Sequence, residues 1–252
     1  MGSTSFGDRQ AAAVVAALDF GTTYSGCAVA HSSDPTKVHI LYKWPFCQGT
    51  YSKTNTELYY TRDNRGALSL KSWGGAALMH FNQAPVTAGE LIKNFKLHLA
   101  GSQYGPSTAE PLPGSLTAAV VITDYLREIS KHIMKLLRET YGRQFGMQDV
   151  QWCLTVPAIW DDHAKQLMKS YAEDAGLVQS RNINEGSPYP LLIVLEPEAA
   201  AVFCLTAFEH LTYAKGDKFM TADLGGGTVD LVIHEKIWKS SKDESNLEVR
   251  TQ

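Results

Sequence analysis

Two stretches of the chain place an aspartate at the end of an apolar run, directly before a glycine-containing turn. The first, VVAALDFGTTYSGCAVA, runs from Val14 to Ala30, and the second, FMTADLGGGTVDLVIHE, runs from Phe219 to Glu235. Each is predicted to be a β-hairpin with a carboxylate at its tip. Small turn residues let the backbone approach a ligand closely, and consecutive N–H groups beside hydroxyls suit an anion. Two facing hairpins could clamp a polyphosphate, while Asp19 and Asp223 hold a divalent cation through its water ligands.

The recurrence of this pattern is what makes it informative. A single Gly-Thr turn after a strand is usually only a turn, but three consecutive glycines at 225–227 are entropically costly in a hairpin. A close backbone approach to a ligand is therefore the better explanation. The chain contains no G-x-x-x-x-G-K-[ST] loop, and no G-x-G-x-x-G follows a strand, which disfavours the common nucleotide-binding folds.

Composition limits the class of protein. The hydrophobic fraction of 44% and charged fraction of 19% are those of an ordinary globular chain. A net charge of -3 with scattered basic residues argues against binding to nucleic acid. The apolar run from Ala11 to Leu18 is too short to span a membrane. The four cysteines lie far apart without C-x-x-C spacing, so we expect a reducing, cytoplasmic setting.

The order of predicted elements favours an α/β fold with a mixed sheet. After the first hairpin come short strand-like runs, and then two predicted helices, Trp73–Phe81 and Gly89–Leu99. The longest helix is predicted over Leu116–Tyr141. A buried strand at Val150–Val156, a helix from Asp161 or Asp162 to Gly176, a strand at Leu191–Leu195 and a helix beginning near Pro197 follow.

The second hairpin marks a boundary, because it repeats the motif that opens the first unit. We therefore expect a flexible tail over residues 1–12, a first lobe over 13–215, and the start of a truncated second lobe over 216–252. On this interpretation the chain is about half of a two-lobed domain, with the face toward the missing lobe left open.

Four motifs occur in the order found in the seventy-kilodalton heat-shock chaperones. They are DFGTTYS at 19–25, LTVPA at 154–158, EPEAAA at 196–201 and DLGGGTVD at 223–230. Together they resemble the actin-like ATPase domain of that family, and they cover the chain from about residue 14 to 235. The tryptophan of VPAIW and the glutamate of EPEAAA are similar to the divergent branch called heat shock 70 kDa protein 12. The resemblance implies an actin-like ATPase (ribonuclease H-like) fold, with a mixed five-stranded sheet flanked by helices.

The resemblance also implies roles for individual residues. The two phosphate-binding loops would be formed by Gly21, Thr22, Thr23, Tyr24, Gly225, Gly226, Gly227 and Thr228. Asp19 and Asp223 would hold magnesium through water, and Asp230 would support that site. Glu196 would help to place the attacking water or the metal shell, although a carboxylate at a helix start is also favoured by the helix dipole alone. A catalytic lysine is expected at Lys93 or Lys96, with Lys96 preferred.

These roles imply an ATP- or ADP-binding protein that uses magnesium and hydrolyses ATP slowly in a longer parent. The chain alone is expected to bind weakly and to turn over little. A non-enzymatic nucleotide sensor or scaffold is the alternative, because Lys165 stands where the chaperones have a relay arginine and Glu198 where they have threonine. A small-molecule kinase of the same fold is a more remote hypothesis. Self-association through the open interlobe face is also expected.

Overall fold

A computed structural model gives the architecture. It describes residues 11–47, 49–85, 88–99, 109–179, 186–207, 214, 216–226, 229–238 and 247–251. From residue 236 onward it describes the backbone alone. The predicted tail at residues 1–12 therefore lies almost wholly outside the described residues.

The elements follow one another in the order strands, helix, strands, and then alternating helices and strands. The strands are β1 Val14–Phe20, β2 Tyr24–His31, β3 Asp34–Ile40, β4 Lys53–Asn55, β5 Leu58–Arg62, β6 Leu68–Trp73, β7 Gly89–Ile92, β8 Val150–Val156, β9 Leu192–Leu195, β10 Lys218–Leu224, β11 Val229–Trp238 and β12 Leu247–Thr251. The α-helices are α1 Gly75–Gln83, α2 Ala118–Tyr141, α3 Asp162–Asp174 and α4 Glu196–Ala207. Short 3₁₀ helices cover Phe95–Leu99 and Met147–Asp149.

The main sheet is mixed, as the sequence predicted. Its strand order is β3-β2-β1-β8-β9, and the short β4 also pairs with β2. The first three strands are antiparallel neighbours, whereas β8 and β9 run parallel to β1. The five-stranded path and its flanking helices confirm the predicted α/β architecture, and β4 adds a sixth strand that was not predicted.

The core lies between this sheet and α2. Every second residue of β1 is buried, so its apolar side chains face the helix while Asp19 stays on the other side. Thr117 begins α2 by accepting a hydrogen bond from the Val120 N–H, and Gly142, at φ 102°, ends it. The buried face of α2 includes Val121, Ile122, Tyr125, Leu126, Ile129, Ile133, Met134 and Leu137.

The predicted helix over Gly89–Leu99 is wrong. The segment begins as β7, which pairs with β5, and continues as a 3₁₀ helix from Phe95. A side chain at position 89 would place its Cβ 2.1 Å from the Tyr60 carbonyl oxygen, so the glycine is required by strand pairing. Asn94, at φ 54°, then turns the chain. The apolar spacing that indicated a helix is shared by a strand followed by a tight turn.

The second predicted hairpin forms a separate small sheet of order β10-β11-β12. Helix α4 packs against β10 and β11 and also reaches β8 and β9 of the main sheet. The inward face of this sheet includes His234, whose ring stacks on Phe219 with centroids 5.2 Å apart. No α-helix in the described part of the chain has the length and apolar character that a membrane span needs.

Candidate functional site

Three parallel strands of the main sheet end at the same edge, and each ends beside a polar side chain. Leu18 of β1 pairs with Leu154 of β8, so Asp19 and Thr155 are neighbours, and Thr155 Oγ1 donates a hydrogen bond of 3.1 Å to Asp19 Oδ1. Strand β9 ends at Leu195, and Glu196 follows immediately as the first residue of α4. The carboxyl ends of parallel strands are where open α/β sheets bind their ligands.

The turn between β1 and β2 forms the first wall of the site. A Cβ on Gly21 would lie 2.1 Å from the Tyr24 carbonyl oxygen, so this turn closes only with glycine at that position. Thr22 is buried under the turn, and Tyr24 is half exposed at its end. Small residues therefore leave the turn backbone open toward the pocket.

The second hairpin supplies the opposite wall. A Cβ on Gly226 would lie 2.6 Å from Thr23 Oγ1, which shows how closely the two turns approach each other. Between them lies a cavity of about 240 Å³. It is lined by Asp19, Gly21, Thr22, Thr23, Tyr24, Lys53, Lys96, Glu196, Asp223, Leu224, Gly225 and Gly226. Gly227 and Thr228, the remaining residues of the predicted second loop, lie outside the described residues.

The structure separates the two candidate lysines. Lys96 is buried and donates to Glu196 Oε1 at 2.7 Å, with only 5% of its side chain exposed. Its ammonium group also lies 5.7 Å from the centroid of the Phe20 ring and 5.6 Å from that of Trp160. Lys93 instead pairs with Glu57 at 3.2 Å and does not line the cavity. Of these two candidates, Lys96 is the one that lines the cavity.

Crowded carboxylates set the electrostatics of the pocket. Burial raises the pKa of Glu196, and Asp19 and Asp230 raise it further, while Lys96 partly offsets these effects. Asp230 lies directly opposite Asp223 in the register of β10 and β11. Burial, together with the negative charge of Asp223, raises the pKa of Asp230. A bound cation would relieve this repulsion.

The same observations test whether magnesium fits. Carboxylate oxygens are its preferred protein ligands, and it usually keeps several water molecules. In the described ranges, His, Cys, Asp and Glu side chains do not gather in any group of three or more that could hold a metal directly. Asp19 and Asp223 both line the cavity, so an ion there could reach them through its water ligands. Magnesium at this position stays a proposal.

Sequence reasoning missed two polar side chains at the site. Thr155 is placed by the pairing of β1 with β8, and Lys53 by the pairing of β4 with β2. Lys53 Nζ lies 2.7 Å from Asp19 Oδ2. Residues 45–55 are rich in turn-forming residues, and a three-residue strand among them has no periodicity that could have revealed it.

Comparison with known sequences shows that the chain is similar to heat-shock proteins. Residues 123–237 match the family model described as Hsp70 protein. The chain is 28% identical to Heat shock 70 kDa protein 12A of Homo sapiens over an alignment 286 positions long, which covers 90% of this chain and 41% of the relative. It is 30% identical to Heat shock 70 kDa protein 12B of Homo sapiens over an alignment 281 positions long, which covers 88% of this chain and 40% of the relative. The chain thus spans about two fifths of the length of these relatives.

Comparison with solved structures supports the fold. The chain aligns with the crystal structure of MreB5 of Spiroplasma citri bound to ADP with a TM-score of 0.50 and 16% identity, covering 95% of this chain and 51% of that one. At this identity the likeness concerns the fold alone. The predicted resemblance to the heat shock 70 kDa protein 12 branch and the predicted actin-like ATPase fold are both confirmed.

Proposed function

We propose that this chain, which is similar to Hsp70 proteins and has the actin-like ATPase fold, forms the phosphate-binding part of a site for ATP and magnesium. The observation that carries this proposal is the meeting of two Asp-Gly turns from opposite ends of the chain around one cavity. Gly21, Gly225 and Gly226 have no side chains, so their backbone atoms line that cavity. Phosphoryl transfer depends mainly on positioning and charge neutralisation, which such a clamp can supply.

The size of the cavity supports phosphate binding in particular. Sites that enclose a whole drug-sized ligand usually measure about 300–1,000 Å³. The cavity of about 240 Å³ is smaller and is polar along most of its lining. We therefore assign it to the phosphate chain of the nucleotide, with the nucleoside outside it. This chain alone should bind weakly, and ATP hydrolysis is proposed for a protein of the relatives' full length.

The carboxylates of the site and Lys96 each have a proposed part. The metal would neutralise phosphate charge, held through water by Asp19 and Asp223 with Asp230 behind them. Lys96 would donate to a phosphate oxygen, and Glu196 would orient the attacking water. The buried Lys96 ammonium is already held by Glu196, so its position needs little reorganisation when an anion enters.

Calorimetric titration with Mg-ATP tests the proposal. The unmodified chain should bind with a Kd of about 0.1–1 mM, which corresponds to roughly -5.5 to -4 kcal/mol. Asp19→Asn should abolish this binding. Asp34→Asn, which removes the same charge from the exposed strand β3, should leave it unchanged. Binding that survives Asp19→Asn would reject the assigned site, and tight stoichiometric binding would reject the conclusion that this chain holds only the phosphates.

One observation favours a second function, that of a protein scaffold. The outward face of β10 and β11 is apolar and exposed: Met220, Leu224, Val229, Leu231 and Ile233 are between 46% and 76% exposed. Cross-strand pairing places Met220 beside Ile233 and Leu224 beside Val229, so these side chains form one continuous surface. Such a surface is typical of a protein contact, and self-association is the simplest case.

Enzyme and scaffold can be distinguished in a protein of the relatives' full length. Release of phosphate from ATP that is lost on Glu196→Gln would support the enzyme, whereas nucleotide binding without any phosphate release would support the scaffold. For both candidate functions we propose a cytoplasmic location, because all four cysteines are free thiols and Cys27 and Cys153 are buried.

A further inference from the structure

The ion pair between Lys53 and Asp19 has no part in the roles assigned so far. The two side chains meet at 2.7 Å inside the cavity, at the carboxylate expected to hold the metal. We propose that Lys53 is a resident counter-ion of the phosphate pocket, which competes with the divalent cation for Asp19 and lets the pocket accept a nucleoside diphosphate or triphosphate without that cation. The inference rests on the proposed function, since it concerns the same site.

Strand pairing directs Lys53 toward Asp19. Asp19 pairs with Gly26 across β1 and β2, and Gly26 pairs with Lys53 across β2 and β4. The three residues therefore form one row across three strands, with a glycine in the middle. A Cβ on Gly26 would lie 2.8 Å from the Ser52 carbonyl oxygen and 3.1 Å from Lys53 Cγ. The missing side chain is what lets the lysine stem cross β2 and bring its ammonium group to the carboxylate.

The two lysines of the pocket differ in how firmly they are held. Lys96 is 5% exposed and Glu196 13% exposed, so their pair is buried. Lys53 is 49% exposed and Asp19 is 39% exposed, so water screens their pair and it contributes little stability. Lys53 can thus leave Asp19 at small cost. Its flexible stem and three N–H donors suit transfer to the oxygens of an incoming phosphate.

Competition follows from the charges. When the ammonium group neutralises Asp19, the carboxylate attracts a divalent cation less strongly. When a polyphosphate enters without metal, Lys53 and Lys96 are the two cations that line the pocket among the described residues. With metal present, the ion takes over part of this neutralisation, and Lys53 contributes less. Removal of Lys53 should therefore have opposite effects on metal affinity and on metal-free phosphate affinity.

Manganese binding without nucleotide tests the first of these effects. Free Mn²⁺ is measured by electron paramagnetic resonance during titration of the wild-type chain, Lys53→Met and Lys71→Met. Lys71 is an exposed lysine on β6 outside the cavity lining, so it controls for loss of one positive charge. Lys53→Met should bind Mn²⁺ about fivefold more tightly, the size of one exposed ion pair, while the control stays within about twofold. Equal affinities of wild type and Lys53→Met would overturn the competition.

Nucleotide binding tests the second effect. Broadening of the ³¹P resonances of ADP is titrated against each protein, once with EDTA and once with excess magnesium. Lys53→Met should weaken ADP binding about tenfold in EDTA, as for one hydrogen bond to a charged group, and less than about threefold with magnesium. Lys53→Arg should keep most of the metal-free affinity. An equal loss under both conditions would contradict the proposal.

The two measurements separate the inference from the function beneath it. If the wild-type chain binds ADP with magnesium but not with EDTA, the phosphate site stands and metal-free acceptance by Lys53 is wrong. If it binds ADP under neither condition, the proposed function fails, and metal-free acceptance fails with it. The manganese titration still decides in that case whether Lys53 competes for Asp19.

Discussion

Replacing Lys96 with methionine should destabilise the protein strongly. Loss of one surface charge rarely changes the free energy of unfolding, but Lys96 is buried. Methionine keeps most of the apolar stem, so the change removes chiefly the ammonium group. That group is 5% exposed, bonds Glu196 at 2.7 Å and lies over the Phe20 and Trp160 rings. Its loss leaves the Glu196 carboxylate buried without its cation. Breaking a buried pair in this way costs about 3 kcal/mol or more.

The expected signal is large enough for a melting experiment. For a chain of this size each kcal/mol shifts Tm by about 2–4 °C, so Lys96→Met should melt about 6–12 °C below wild type at pH 7. Lys131→Met is the matched control, because Lys131 is 63% exposed in its pair with Glu128. The control should change stability by less than about 1 kcal/mol.

The loss should also depend on pH. Burial raises the pKa of Glu196 and Lys96 lowers it, so removal of Lys96 raises it further. A carboxyl group with a raised folded-state pKa contributes most stability below its ordinary pKa, and this stability falls as the pH rises through the raised value. The stability difference between Lys96→Met and wild type should therefore shrink as the pH falls from 7 toward about 4.3, the ordinary glutamate value. Burial and Asp223 raise the pKa of Asp230 and Lys96 lowers it, so removal of Lys96 also raises the pKa of Asp230 and adds to this trend.

A double variant completes the test. Lys96→Met combined with Glu196→Gln leaves no buried charge in the pair, so it should recover at least half of the lost Tm and lose most of the pH dependence. Thermal melting at pH 7 measures the recovered Tm, and urea unfolding at pH 5, 6, 7 and 8 measures the pH dependence of the free energy of unfolding. A Lys96→Met protein that melts within about 2 °C of wild type at pH 7 would refute the reasoning, as would a double variant less stable than the single one.

Three further changes test the packing around the site and the exposed face. Gly226→Ala puts a methyl group 2.6 Å from Thr23 Oγ1, so it should cost about 1–3 kcal/mol in urea unfolding and weaken Mg-ATP binding; unchanged values would mean that the turns do not touch. Tyr60→Phe removes the 2.7 Å hydrogen bond to Asp124 and should lower stability by about 1.5–3 kcal/mol in the same assay, whereas no loss would contradict that bond. Leu231→Glu charges a residue that is 61% exposed, so it should leave Tm nearly unchanged and abolish any self-association measured by sedimentation; association that persists would exclude this face.

Much of the candidate site could be read from local pattern. An apolar strand, an aspartate and a glycine-rich turn are adjacent in the chain, so their spacing predicts the hairpins at Asp19 and Asp223 without any knowledge of distant contacts. The long amphipathic helix was equally clear, because its apolar spacing and the glycine that ends it lie within one segment. These elements owe their form to neighbours a few residues away.

Residues whose place depends on pairing between distant strands could not be found in this way. Lys53 reaches Asp19 because two strand registers align with Gly26 between them, and Lys96 rather than Lys93 enters the pocket because a 3₁₀ helix follows β7. Spacing alone does not distinguish Lys93 from Lys96, and the sequence-based preference for Lys96 came from the family resemblance. Register and turn geometry are settled when the whole sheet and core pack together, since a shift of one residue turns every side chain to the opposite face. The local pattern thus names the groups able to do the chemistry, and packing selects those that meet.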